Sequence, residues 1–158
     1  MTEFTHLDDQ GAARMVDVTG KRPTVRTARA SAFVDCADHV VAALRDHSVP
    51  KGDVLAVARI AGIAAAKRTP ELLPLAHIIG VHGAVLDVQV TDSGVAISAT
   101  VSTADRTGVE MEALTAASVA ALAVVDMVKA LDKGTQISNV RLESKTGGKS
   151  GDWVRPHR

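Results

Sequence analysis

The 158-residue chain has no tyrosine, and Phe4, Phe33 and Trp153 are its only large aromatic side chains. Such a set is too small to stack the successive bases of a single strand. It also argues against a small adaptor that anchors a partner through aromatic hot spots. One cysteine, Cys36, excludes an internal disulfide and a thiolate metal cluster, and it suits a reducing compartment. The 18 basic residues balance the 18 acidic ones, so the basic excess that displaces counterions from nucleic acid is missing. Met1 to Gln10 is polar and acidic and lacks the basic start and apolar core of a signal peptide. The longest strictly apolar stretch, Val119 to Val125, is too short to cross a bilayer. These absences predict a cytoplasmic protein with neither nucleic acid nor membrane as partner.

What is present is a chain that is nearly half apolar and long enough for one hydrophobic core. Asp8, Asp9, Gln10 and Gly11 in succession predict a flexible N-terminal segment over residues 1–13, leaving residues 14–158 as a single domain. Met15 to Val18 reads as a short edge strand. Alternation of Arg26, Ala28, Ala30, Ala32 and Val34 predicts a strand from Thr24 to Val34. Asp35 is placed to cap a helix carrying Val40, Val41 and Leu44. After Pro50 and Gly52, residues 53–67 form a helix whose surface is almost wholly small and aliphatic, which predicts burial.

Two alternating runs, Leu86 to Val90 and Val95 to Val101, flank Thr91-Asp92-Ser93-Gly94 and predict a hairpin. Thr107 and Glu110 have capping-box spacing at the start of a long helix reaching about Leu131. A last strand, Ile137 to Leu142, precedes a glycine-rich loop from Lys145 to Gly151. The order is that of an α+β, ferredoxin-like β-α-β-β-α-β fold, with an antiparallel sheet covered by helices.

Asp126 stands among small and aliphatic residues, where a carboxylate is costly unless paired. Lys129 lies three residues on, so the two form either a structural ion pair or a carboxylate–amine couple shifted by burial and able to exchange protons with a substrate. Glu110 and Glu112 either favour the helix dipole or hydrogen-bond a nitrogen-rich heterocycle. Lys51, Lys67, Arg68, Lys145 and Lys149 occupy element ends, where phosphate is commonly held. The stretch Gly147-Gly148-Lys149-Ser150-Gly151 suits an anion, but it is not a Walker A loop: the leading glycine would fall at Glu143. His77 and His82 are too few for a zinc site.

Three blocks of sequence carry more than their separate residues do. One is Met15-Val16-Asp17-Val18-Thr19 with Val25-Arg26 and Arg29-Ala30. A second runs from Lys51-Gly52-Asp53-Val54 through Ala58-Arg59-Ile60-Ala61-Gly62 and Lys67-Arg68-Thr69 to Leu75-Ala76-His77. The third is Thr107-Gly108-Val109-Glu110-Met111-Glu112-Ala113-Leu114-Thr115, continuing to Asp126-Met127 and Lys129-Ala130, with Lys145-Thr146-Gly147-Gly148-Lys149-Ser150-Gly151 beyond.

Together these blocks closely resemble the MoaC family of cyclic pyranopterin monophosphate synthases, almost from end to end. The resemblance implies a lyase of molybdenum cofactor biosynthesis. Its substrate would be 3′,8-cyclo-7,8-dihydroguanosine 5′-triphosphate, rebuilt as cyclic pyranopterin monophosphate with release of pyrophosphate. It implies acid–base work for Asp126 and Lys129, with Lys51 beside them. It implies contacts to the heterocycle from Leu75, Ala76, His77, Glu110, Met111 and Glu112, and to the phosphates from Lys67, Lys145 and Lys149. A homohexamer of three dimers, with sites at the dimer interface, is implied as well. No protein-bound metal or cofactor is called for, although Mg2+ could accompany the triphosphate. The pattern departs at Leu75-Ala76-His77-Ile78, where the family typically reads Leu-Cys-His-Pro. That departure supports an alternative, a noncatalytic oligomeric relative that binds a nucleotide or a pathway protein.

Overall fold

The structure, a computed structural model, describes residues 7–156. The expected flexibility of residues 1–6 lies outside the described residues. From Asp8 the chain turns tightly, with the Asp8 carboxylate accepting from the Gln10 and Ala12 amides.

Five strands form one antiparallel sheet: β1 (Thr24–Asp35), β2 (Gly83–Val90), β3 (Gly94–Asp105), β4 (Gln136–Thr146) and β5 (Trp153–Val154). Their spatial order is β2-β3-β1-β4-β5. Helices α1 (Asp38–Arg45), α2 (Val54–Lys67) and the single turn α3 (Thr69–Leu72) connect β1 to β2, and α4 (Glu110–Val128) connects β3 to β4. Each crossover leaves room for one strand between its ends, which is the split arrangement of a ferredoxin-like fold. The α+β expectation holds, and β5 adds an edge strand.

Register follows the alternation. Ala28, Ala30, Ala32 and Val34 point inward from β1 and meet Val95, Ile97, Ala99 and Val101 of β3. Each fully buried valine contributes about 1.5–3 kcal/mol through removal of apolar surface from water. The β2–β3 turn ends at Gly94, where φ is +154° and a Cβ would collide with the Val34 carbonyl. Pairing of β1 with β4 is interrupted twice, and Asn139, at φ +55°, falls in one of the irregularities.

Small residues set the helix spacing. α2 packs on α4, with Gly62 seated against Ala116 and Ala120. At Gly62 a Cβ would come within 2.9 Å of the Ala116 carbonyl oxygen, so the close approach needs glycine. α4 is apolar enough by length and composition to cross a membrane, yet its alanines face the sheet and α2 as core.

Several local expectations are corrected. Asp35 does not cap α1. It still pairs with Gly94 and Gln136, and its carboxylate accepts from Ser138 Oγ at 2.7 Å. Met15 to Val18 forms no strand, and the Val16 carbonyl is engaged by the His77 ring instead. The Thr107–Glu110 capping box does not form: Val109 is the N-cap residue, without a side-chain bond, and Glu110 turns to Lys145. α2 is buried on one face only, leaving Val57 and Ile60 exposed. β4 runs to Thr146, so Lys145 is a strand residue.

Candidate active site

The last turn of α4 holds the first cluster. Asp126 is bracketed by two ammonium groups, Lys129 Nζ at 2.7 Å from Oδ1 and Lys51 Nζ at 3.2 Å from Oδ2. Lys51 also donates to the Asp126 carbonyl at 2.7 Å, which satisfies an otherwise open acceptor at the negative end of the helix. Burial is the weakest influence on Asp126, because the helix turns it outward into solvent, so of the two alternatives the burial-shifted couple does not form. Its pKa is instead lowered, first by the hydrogen bond from Lys129 and then by that from Lys51. The result is a solvent-facing carboxylate held ionised between two cations.

A second cluster lies at the opposite end of α4. Glu112 is only 3% exposed, and burial, reinforced by the charge of Glu110, raises its pKa. The charge of His77 acts the other way, holding the rise down. His77 comes from the irregular segment after α3, and its Nε2 lies 2.6 Å from the Val16 carbonyl. A carbonyl can only accept, so Nε2 carries the hydrogen of that bond. A cavity of about 830 Å³ opens beside this ring, lined by Lys67, Ala76, His77, Ile78, Arg106 and Thr107 among others. Leu75 and Met111, neighbours in sequence of Ala76 and Glu112, are exposed.

Basic groups border the same end. Lys145 Nζ lies 3.1 Å from the Glu110 carboxylate and donates to Ser150 Oγ at 2.7 Å. This draws the glycine loop back over β4. Gly147 and Gly148 take φ of +83° and +77°, and a Cβ on Gly148 would run into the Arg26 guanidinium. Arg26 donates to the carbonyls of Asp105 and Arg106, each at 3.2 Å. Lys149 is exposed on the loop.

The structure therefore divides the predicted residues. Lys51, Asp126 and Lys129 form one group, while His77, Glu110, Glu112 and Lys145, with Lys67 at the cavity wall, gather at the other end. Glu112 and Asp126 are fourteen residues apart in α4, roughly 21 Å along the axis at about 1.5 Å per residue. Arg26 was not among the residues singled out from sequence. Its signal was an arginine in the inward-facing register of β1, where Ala28, Ala30 and Ala32 follow.

The chain matches the MoaC family profile over residues 15–148. It is 67% identical over 152 residues to the cyclic pyranopterin monophosphate synthase of Streptomyces coelicolor, covering 96% of this chain and 89% of that protein. Against the protein of the same name from Nocardioides sp. it is 62% identical over 156 residues, covering 97% and 96%. The chain belongs to the MoaC family. Both α4 clusters fall inside the MoaC match, and so does Arg26. The MoaC assignment thus applies to the part of the chain that carries the candidate chemistry.

Proposed function

We propose that the chain is a cyclic pyranopterin monophosphate synthase, a lyase of molybdenum cofactor biosynthesis that works in the cytoplasm. It converts 3′,8-cyclo-7,8-dihydroguanosine 5′-triphosphate to cyclic pyranopterin monophosphate and pyrophosphate. The observation that carries this reading is the pairing of two unlike half-sites on one helix. One offers an ionised carboxylate between two lysines; the other sets the buried carboxyl of Glu112 near His77, which lines a cavity with Lys67 and Arg106 on its wall.

The reaction must move protons on and off ring nitrogens as the purine is rebuilt as a pterin. It must also let a hydroxyl oxygen attack the α-phosphorus while pyrophosphate departs with the bonding electron pair. Asp126, fully charged, accepts a proton, and Lys51 or Lys129 returns one. Glu112, whose burial favours the neutral acid, can donate to or accept from a heterocycle nitrogen, and His77 supplies Nδ1 beside it. Ala76 gives the heterocycle a small apolar wall, with Leu75 and Met111 against its flat face. Lys67, Lys145 and Lys149, together with Arg26, neutralise the phosphates and the leaving pyrophosphate. Magnesium arriving with the triphosphate would add to that neutralisation.

A single compact heterocycle cannot touch both ends of α4 in one chain. An antiparallel α4 from a second subunit brings Asp126 of one chain toward Glu112 of the other in a two-fold dimer. The uncovered apolar residues Val57, Ile60 and Leu122 on α2 and α4 favour burial against further copies, in a hexamer of three dimers.

The test is incubation with the cyclised nucleotide, following pyrophosphate release and the pterin product together. Formation of both supports the synthase. Tight binding without either would favour the noncatalytic relative suggested by Ala76 and Ile78.

A further inference from the structure

Residues 76–82, which carry His77, have no regular secondary structure, and Ile78 at their centre is 91% exposed. Something other than the Ile78 side chain must hold this segment. Apolar anchorage comes from Ile79 and Val81, which pack against the core. The polar anchorage comes from the end of β3. Thr103, 2% exposed, donates from Oγ1 to the Gly80 carbonyl at 2.5 Å. The Asp105 carboxylate faces the Gly80 amide at 3.4 Å. The His82 ring accepts the Ala104 amide at Nδ1, 3.0 Å away, while the His82 amide donates to the Ser102 carbonyl. The His82 ring also lies over Gly80, where a Cβ would come within 3.2 Å of it.

We infer that Thr103, with His82 and Asp105, is a positioning clamp that fixes the Gly80 peptide and thereby sets His77 against the substrate cavity. The inference rests on the proposed site, because it takes His77 to face the substrate. Its physical basis is leverage over a short span. His77 is three residues from Gly80 and is held on its other side by the Val16 carbonyl. With both ends tied, the ring cannot drift; with the Gly80 end freed, Ile79 is the one packed side chain left between it and the ring, because Ile78 is exposed. An enzyme loses activity steeply when a reacting group is displaced by about 1 Å. The Thr103 hydroxyl is suited to prevent that, because its side chain is buried and its position is fixed by the β3 ladder.

The test uses the full-length oligomer. Thr103→Val keeps the side-chain volume and removes the donor. The clamp predicts that kcat falls about tenfold while KM changes by less than about twofold, with amide hydrogen exchange at residues 77–82 faster and exchange in α4 unchanged. Thr103→Ser restores the donor and should restore both readouts. If Thr103→Val does not fold, His82→Ala removes the exposed ring without touching the core, and it should reproduce the faster exchange and the lower kcat. Unchanged exchange and unchanged kcat in either folded variant would overturn the clamp. His77→Ala is measured in parallel. If it loses activity while the clamp variants do not, the clamp alone fails. If His77→Ala is itself fully active, the site reading fails and takes this inference with it.

Discussion

Lys51, in the loop before α2, reaches the last turn of α4 and binds both the backbone carbonyl and the carboxylate of Asp126, at 2.7 and 3.2 Å. One lysine thus secures the helix end and sets the charge beside the carboxylate that Lys129 grips from the other side. Loss of either partner would leave the second free to change position.

Asp126→Asn removes the charge and preserves the shape. Turnover should fall by about 100-fold or more if the carboxylate transfers protons, while the variant elutes as the wild type does in size-exclusion chromatography. The folded-state pKa lies below the ordinary 3.8, so the stabilisation from this ion pair is present above 3.8 and is lost as pH falls through the folded value. The acid limb of the activity profile above pH 5 should therefore not report Asp126. A wild-type rate in the Asn variant would reduce the cluster to a structural ion pair.

Glu112 has the opposite sign. Burial raises its pKa above the ordinary 4.5, so the folded protein binds this proton more tightly than the unfolded chain does. Stability from this group is then greatest below 4.5 and declines as pH rises through the folded value. Glu112→Gln removes that decline, so the variant should melt higher than wild type at neutral pH and lose about 100-fold in kcat. Thermal melts across pH, paired with rate measurements, check both halves.

Arg26, Lys67, Lys145 and Lys149 should act on phosphate. Separate replacement, with methionine for each lysine and with lysine for Arg26, should raise KM about tenfold through loss of a charged hydrogen bond. Inhibition by pyrophosphate should weaken in step. Unchanged KM and unchanged inhibition in all four variants would put the anion site elsewhere. Arg26→Lys is the sharper probe, since a lysine keeps the charge and loses the planar fork.

Gly94→Ala tests the fold separately from the chemistry. The added methyl would meet the Val34 carbonyl in the ladder between β1 and β3, and the strain should cost about 1–3 kcal/mol. A lower midpoint in urea, with kcat kept in the remaining folded protein, is the expected result.

Much of the frame was legible because its signals are periodic. The alternation in β1, β2 and β3 and the Gly94 turn located the sheet, and the apolar run of α4 located the central helix. The failures were at ends. Asp35 looked like a cap, yet the ladder kept it as the last residue of β1 and the cap fell at Ala37, and Thr107 with Glu110 had capping-box spacing while Lys145 drew Glu110 away. Tertiary partners of this kind have no sequence signature. Arg26 did carry a signal, its place in the inward register of β1, but its partners lie in segments about 80 and 120 residues away. Asp126 was singled out for a partly mistaken reason, since apolar neighbours in sequence did not mean burial in space.

The central claim is that each active site joins the start of α4 in one subunit to the end of α4 in another. The direct measurement is complementation: Glu112→Ala and Asp126→Ala, each inactive alone, are mixed under conditions of subunit exchange, and pyrophosphate release is followed. In a mixed dimer with shared sites, one site carries both lesions and the other carries neither. Activity should therefore return in proportion to the mixed species found by native mass spectrometry. A verified mixed oligomer that stays inactive would show that both lesions act within one chain's site, and would contradict the account.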